Sequence, residues 1–216
     1  MAQTPQGPQR MDQLHIGDQV MTSAGFEAIY LFGAQDSSRL APFIVIETGL
    51  HKIEMSADHF IRVLSSGVEH FKRASQVSIG DTIWATSGGS LKPIAVTAMS
   101  QTVQMGLFNP YTPSGTIVVN DVLASVYSRW FLDDVCNLLG CVAHLPTLYQ
   151  AVMMPARVMC FLVTLIGGPG AVEAADNFLS LTHLGHTYPQ AAAASYAAGT
   201  GAAVLLTAIT FRRLTK

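Results

Sequence analysis

Charged side chains are scarce in this sequence of 216 residues, because Asp, Glu, Lys and Arg together make up 12% of it. Soluble domains usually contain about 25% charged residues. Half of the sequence is hydrophobic, so a folded chain with an apolar core is expected and a disordered protein is excluded. The formal net charge of −2 supplies no basic field, and we therefore expect no binding to nucleic acid.

Cysteine is also rare. The three cysteines, Cys136, Cys141 and Cys160, are too few for a small secreted protein held together by disulfides, and we expect buried free thiols. The spacing of the first two does not match a zinc site. His183 and His186 stand one helical turn apart, but a glycine lies between them and a loop is the better interpretation. We expect no metal and no cofactor.

The first part of the sequence has the pattern of an all-β fold. Short runs rich in Val, Ile, Phe and Thr alternate with Gly, Ser, Asp and Pro. These runs are 26–32, 43–48, 52–55, 60–64, 82–86, 94–99 and 116–119. Such spacing, without a helical period between the runs, favours a sandwich or a barrel-like domain.

One motif occurs twice. The segments 14–21 and 77–84 each contain an apolar residue, a polar residue, Ile-Gly-Asp, another polar residue and then a candidate strand. Gly supplies an unusual backbone angle and Asp bonds the backbone beyond it, so each segment predicts a tight turn. The repeat indicates two pseudo-symmetric halves of one domain. The alternative is two unrelated turns built from common turn residues.

Three ordered segments resemble the Hint domain (hedgehog/intein), and specifically the autoprocessing domain of hedgehog and hog proteins. The turn at 14–21 is similar to the family's first Gly-Asp-x-Val block. The strand at 43–48 and the residues Met-Ser-Ala-Asp-His at 55–59 are similar to its strand and Thr-x-x-His motif. The segment 107–127, with Thr-Pro-Ser-Gly-Thr-Ile followed by Ala-Ser, is similar to its closing segment. The resemblance covers about 12–128 and implies an all-β fold with two pseudo-symmetric halves.

The resemblance also implies a reaction. A peptide bond upstream of a cysteine becomes a thioester, which a second nucleophile attacks, and in hedgehog proteins that nucleophile is cholesterol. His59 stands at the family's histidine, which suits an acid that protonates the departing nitrogen. Ser56 stands where threonine is usual and keeps the hydroxyl without the methyl. The alternative for His59 is a half-buried strand histidine. The implied partners are the chain's own upstream polypeptide and cholesterol or another sterol.

Three positions depart from the family pattern. The nucleophilic cysteine is expected about two dozen residues before Gly17, which lies before Met1, so we expect the sequence to begin inside the domain. Ala34 stands where hedgehog proteins have the aspartate that activates the sterol hydroxyl, and Ala cannot accept a proton. Asp36 could substitute as acid or base, although a turn aspartate before two serines is the better interpretation. Val126 stands where some relatives have another cysteine. We therefore expect the processing reaction to be impaired and the attachment of sterol to be inefficient.

The C-terminal region is hydrophobic. Pro146 and Pro155 interrupt the apolar runs of 130–168, which predicts helices without an unbroken membrane span. These helices fit either a membrane-seeking region or a hairpin packed on the β domain. Residues 191–211 carry no charge and precede a basic cluster, which favours a membrane-spanning end.

Together these features predict a flexible segment over 1–11, the Hint domain over 12–128 and a helical, membrane-associated region over 129–216. Two functions fit the sequence. The first is autoprocessing in an impaired form. The second is a non-catalytic, membrane-anchored β domain that keeps the fold as a binding or structural module. Residues 1–10 lack the apolar stretch of a signal peptide. Membrane association in the secretory pathway or at the cell surface is therefore expected only if a preceding segment carries one.

Overall fold

The computed structural model of the chain describes residues 1–65, 67–130, 132–168 and 170–171. Within these residues, strands precede helices along the chain, and the expected all-β domain followed by a helical region is confirmed. The strands are β1 (Ala2–Thr4), β2 (Gly7–Gln9), β3 (Gln19–Thr22), β4 (Gly25–Ala28), β5 (Leu31–Glu47), β6 (Lys52–Met55), β7 (Phe60–Ser65), β8 (Val68–Arg73), β9 (Thr82–Ser87), β10 (Ser90–Ala95), β11 (Ala98–Tyr111), β12 (Thr116–Val119) and β13 (Val122–Ser125). The helices are α1 (Asp133–Leu139), α2 (Leu145–Val152) and α3 (Met154–Gly167), and short 3₁₀ turns occupy Met11–Gln13, Ala74–Gln76 and Val142–His144.

Three groups of strands surround the core. The main sheet runs in the order β2-β1-β12-β13-β9-β7-β8, with β10 also paired to β9. A second sheet has the order β11-β5-β6, and β3 pairs with β4. The inward residues of these strands form one apolar cluster that includes the fully buried Val20, Phe60, Ile83 and Val122. The core therefore lies between the sheets, as the alternating pattern of short strands requires.

The two Gly-Asp turns have the same hydrogen bonds. In the first, Gly17 donates to Ile29 O and Ile29 donates to Asp18 O, at 2.8 and 2.9 Å. In the second, Gly80 donates to Val96 O and Val96 donates to Asp81 O, at 2.9 and 2.8 Å. Both glycines have positive φ, 96° and 93°, where a side chain is disfavoured. The repeat therefore marks equivalent turns in two pseudo-symmetric halves.

Two long strands leave the core together as an arm. Strand β5 has 17 residues and β11 has 14, and they pair antiparallel from Glu47 and Ala98 to Leu31 and Tyr111. The outer part of the arm is exposed, including the apolar Leu40, Val103 and Met105. The expected strands at 26–32 and 94–99 are therefore wrong in their bounds, because each straddles the end of a short strand and the start of this arm.

The N-terminal residues are not the flexible segment that we expected over 1–11. Strands β1 and β2 form a hairpin, and Ala2 pairs with Val119 of β12. Ala2 has no exposed surface, and the amino group of Met1 donates to Asn120 Oδ1 at 2.6 Å. The small apolar side chain of Ala2 fits this edge of the core. The polar, proline-rich composition of the segment gave no indication of this pairing.

The helical region begins as part of the same core. Leu145 and Tyr149 of α2 have no exposed surface, and both belong to the apolar cluster of the β domain. Pro146 and Pro155 stand in the first turns of α2 and α3, where proline removes no helical hydrogen bond, so they do not interrupt the helices. The boundary that we expected at 128 therefore separates residues that share one core.

The cysteines differ from the expected free thiols. Gly140 ends α1 in the left-handed conformation, and the chain returns so that Cys136 and Cys141 form a disulfide with Cα atoms 4.7 Å apart. Cys160 lies in α3 and is not part of this disulfide.

One helical stretch is long and apolar enough to cross a membrane by length and composition alone. It is Val142–Gly167, which has 26 residues and a mean hydropathy of 1.6. Part of α3 is exposed, including Phe161, Leu165 and Ile166. The expected span at 191–211 and the histidines at 183 and 186 lie outside the described residues.

Candidate active site

A cleft opens between the arm and the turn that joins β6 to β7. Its volume is about 410 Å³. Ser56 and His59 line it from the turn, Ser125 lines it from the end of β13, and Ala34 and Asn109 line it from the arm. Met1 lines the same cleft. The structure thus brings both candidate catalytic residues into one cleft, and the first residue of the sequence lines the same cleft.

The turn that carries His59 is fixed by its backbone. The amide of His59 donates to Ser56 O at 3.0 Å, which closes the turn. Phe60 is fully buried, and its amide donates to Tyr127 O at 3.0 Å. On the other side, Ala74 donates to His59 O at 2.8 Å. Ser56 and His59 therefore reach the cleft, while the buried Phe60 that follows anchors the turn to the core.

The imidazole of His59 has a defined orientation. Its Nε2 lies 2.6 Å from the carbonyl oxygen of Ser125. A carbonyl only accepts, so Nε2 donates and Nδ1 is the ring atom that takes up or releases a proton. Burial lowers the pKa of His59, and the bond to Ser125 opposes that change only in part. The ring is therefore neutral at pH 7 and becomes an acid when Nδ1 is protonated.

Ser56 lies three residues before His59 and lines the same cleft. The position follows from the tight turn, whose first residue and last residue are linked by a backbone hydrogen bond. A hydroxyl at this place can donate to an oxygen of a peptide bound in the cleft.

Ala34 and Asp36 occupy different environments. Ala34 faces the cleft and pairs in register with Asn109. The Asp36 carboxylate instead accepts hydrogen bonds from the amide and hydroxyl of Ser38, at 2.9 and 2.8 Å, and from the Arg39 amide at 3.1 Å. These bonds lower the pKa of Asp36, which makes its carboxylate a weaker base. Its geometry is that of a turn aspartate.

Several polar groups of the site were not found by sequence reasoning. The carboxylates of Asp12 and Glu54 line the cleft, where they pair with Arg10 and Lys52. The carbonyl of Ser125 orients His59. A side-chain pattern contains no signal for a backbone carbonyl, whereas the alternation of β6 could have placed Glu54 on the face of Ser56. Within the described part of the chain, no group of three or more His, Cys, Asp or Glu side chains is arranged to hold a metal ion.

Comparison with known families decides the relationship. A family model described as the Hint module matches residues 2–156. The chain belongs to the Hint family. The match extends beyond 12–128 at both ends, and it includes the N-terminal hairpin and helices α1 and α2 of this Hint module.

Curated relatives of this Hint module include hedgehog proteins. The chain is 34% identical over 135 residues to Sonic hedgehog protein of Danio rerio, covering 56% of the chain and 32% of that protein. It is 27% identical over 136 residues to Warthog protein 6 of Caenorhabditis elegans, covering 59% and 23%. The chain thus spans about a third or less of the length of these relatives.

Solved structures similar to this Hint module include inteins. The gp41-1 intein has a TM-score of 0.46 and 17% identity, covering 57% of this chain and 91% of the intein. The bacterial intein-like domain from Clostridium thermocellum has a TM-score of 0.46 and 17% identity, covering 58% and 93%.

Proposed function

We propose that the chain is a hedgehog-type autoprocessing module that acts on a peptide bond of its own polypeptide and does so in impaired form. The observation that carries this proposal is the joint placement of Ser56, His59 and Met1 in one cleft, with the His59 ring fixed on Ser125 O. A polypeptide that precedes Met1 would join the chain at the cleft that these two side chains line. Membership of the Hint family supports the same reaction.

In the proposed first step, a thiolate attacks the carbonyl carbon of the peptide bond that precedes its own residue. The C–N bond breaks, a thioester forms and the amide nitrogen leaves as an amine. The neutral His59 ring takes the thiol proton on Nδ1 and then gives it to that nitrogen, and the Ser56 hydroxyl donates to the carbonyl oxygen. The thiol is the part that the described cleft residues do not contain, because the described cysteines lie at 136, 141 and 160.

The proposed second step is also impaired. A sterol hydroxyl needs a base to become a nucleophile, and Ala34 offers none. The arm residues that line the cleft among the described part of the chain are Ala34, Phe43 and 104–110, and none of them is ionisable. Water or a small thiol, which attacks a thioester without a positioned base, is therefore the proposed resolving nucleophile.

We further propose that the helical region associates with a membrane. The apolar stretch Val142–Gly167 and the exposed Phe161, Leu165 and Ile166 support this, as does the uncharged segment 191–211. The corresponding location is the secretory pathway or the cell surface. Flotation of the full chain with liposomes, compared with a Phe161→Ser, Leu165→Ser variant, tests the association directly.

The cleavage proposal is tested by supplying the thiol. A reporter domain is fused upstream through a linker with a cysteine six residues before Met1, and an otherwise identical fusion carries alanine there. We expect dithiothreitol to release the reporter from the cysteine fusion only, and intact mass to locate the cut at the bond before that cysteine. His59→Ala in the cysteine fusion should abolish release. Equal release from the cysteine and alanine fusions, both folded by circular dichroism, would contradict autoprocessing.

A second function is favoured by the alanine at position 34. An arm wall without a base fits a membrane-anchored β domain that keeps the Hint fold as a binding or structural module. Under this alternative, His59→Ala changes no processing in any fusion. Release of the reporter in the experiment above decides between the two.

A further inference from the structure

The turn that carries His59 is held from behind by the end of β8. Ser75 donates to Ala57 O at 3.0 Å, and the Arg73 guanidinium donates through Nη1 to Asp58 O at 2.9 Å. The same guanidinium lies over the Phe60 ring, 4.5 Å from its centroid. Arg73 thus contacts the residue on each side of His59, and it fixes the peptide group that joins Asp58 to the histidine.

Arg73 is itself held by the helical region. Its Nη2 donates to Asp133 Oδ1, and the pair is buried, with 8% of Arg73 and 1% of Asp133 exposed. Tyr149 of α2 donates its hydroxyl to Asp133 Oδ2, and the Trp130 amide donates to the same oxygen at 2.8 Å. Both carboxylate oxygens are therefore occupied, so Asp133 presents a fixed acceptor to Arg73.

We propose that Arg73 and Asp133 are positioning residues for His59, through which the docked helices set the orientation of its imidazole toward the cleft. This inference rests on the proposed function, since it concerns the histidine of that site. Neither residue lines the cleft, and each acts through the backbone of the 56–60 turn. Because a displacement of about 1 Å can slow an enzymatic step by about 100-fold, an anchor behind the turn matters for the reaction.

A two-point anchor is the chemical reason for arginine at position 73. The planar guanidinium donates at once to the Asp58 carbonyl and to the Asp133 carboxylate, and its face stacks on Phe60. An ammonium group has no planar fork that could make both bonds and the stacking contact together.

The test observes the His59 ring itself. In the full chain labelled with ¹⁵N-histidine, NMR reports which ring nitrogen carries the proton and at which pH the ring titrates, and a His59→Gln sample identifies its signals. In the unchanged chain we expect the proton on Nε2 and a pKa below the ordinary value of about 6.5. In Asp133→Asn we expect both tautomers and a pKa moved toward that ordinary value, because the loosened turn admits water.

Lys72→Met is the matched control. Lys72 precedes Arg73 on β8 and binds Asp81 with two bonds of 2.8 and 2.9 Å, away from the 56–60 turn. We expect its His59 signals to match those of the unchanged chain. If Asp133→Asn does not fold, the double variant Arg73→Gln with Asp133→Asn replaces the ion pair by two neutral groups and leaves no unpaired buried charge. The same movement of the His59 signals is expected there.

The result that would overturn the inference is a folded Asp133→Asn chain, or a folded double variant, with the tautomer and pKa of His59 unchanged. Movement of the signals in Lys72→Met to the same extent would overturn it as well. The NMR measurement needs no cleavage, so it is independent of the proposed function. In the cysteine fusion, Asp133→Asn should slow release about 10- to 100-fold, whereas a fusion that never cleaves contradicts the proposed function alone.

Discussion

The two walls of the cleft differ in what they can do chemically. The turn wall, residues 56–60, carries a hydroxyl and an imidazole, and backbone hydrogen bonds hold it from both sides. The arm wall, formed by β5 and β11, offers only uncharged side chains to the cleft among its described residues. In the proposed reaction, the turn wall protonates the leaving amine, and the arm wall is where a base would activate a hydroxyl nucleophile. Under that proposal, the two steps can be lost separately.

The largest expected effect is on the rate of thiol-dependent release, which should fall for a substitution in the turn wall and not for one in the arm wall. In the cysteine fusion, His59→Gln should lower the rate of thiol-dependent release by about 10² to 10⁴-fold, the usual contribution of a positioned acid. Ala34→Gly, on the arm wall, should leave that rate within about twofold, because residue 34 takes no part in the first step. Release is measured by quantitative gel densitometry. A large fall in the release rate of Ala34→Gly would contradict the assignment of the first step to the turn wall.

The next effect concerns the packing of the arm wall. A Cβ at Gly33 would lie 2.7 Å from the Tyr111 ring, closer than van der Waals contact allows. Gly33→Ala should therefore lower the free energy of unfolding by about 1 to 3 kcal/mol, the cost of overpacking. Urea denaturation followed by circular dichroism measures it. Gly49→Ala, at a turn glycine with open space around its Cβ position, is the comparison for backbone strain alone.

A smaller effect is expected when a base is added to the arm wall, because the base should increase sterol-dependent release in the second step. Ala34→Asp places a carboxylate on the arm wall, and we expect sterol-dependent release in the cysteine fusion to rise about tenfold, below the full value of an evolved base. Ala34→Asn has nearly the same shape without the basic oxygen and should give no rise. An equal rise with asparagine would show that shape, rather than proton acceptance, limits the arm wall.

The smallest effect is a pH dependence of stability on the turn wall. The pKa of His59 is lowered by burial, so between that lowered value and about 6.5 the unfolded chain binds more protons than the folded one. The free energy of unfolding should be highest above pH 6.5 and fall as the pH drops through this window. Denaturation series at several pH values check it. The contribution is the difference between the unchanged chain and His59→Gln, and equal slopes would contradict it.

Sequence reasoning found the parts that depend on local pattern. The strands at 52–55 and 116–119 have the predicted bounds. Apolar residues alternate in the first, the second is a continuous run of β-branched residues, and turn residues delimit both. The two similar turns could be predicted because glycine adopts the positive φ that each turn requires and the aspartate that follows bonds the backbone. Ser56 and His59 were placed by the spacing of a family motif, and the structure brings both into one cleft.

The rest depends on contacts between distant residues. The middle of the arm has no buried face, so its composition gave no strand signal. The pairing of Ala2 with Val119 joins opposite ends of the domain, and no local window contains it. Arg73 and Asp133 are 60 residues apart, and a buried ion pair has no pattern in either neighbourhood. These contacts determine where the domain ends, which explains why a boundary drawn from charge content fell at 128.

The disulfide between Cys136 and Cys141 makes the oxidation state of the folded chain depend on the redox conditions of its compartment. Such bonds persist in oxidising compartments and are reduced in the cytosol. A chain that matured in an oxidising compartment is lighter by two hydrogen atoms than one from the cytosol, and alkylation before mass spectrometry leaves its Cys136 and Cys141 unlabelled. The oxidation state of the peptide that contains both cysteines, prepared from the protein in its native cell, therefore shows whether the chain folded in an oxidising or a reducing compartment.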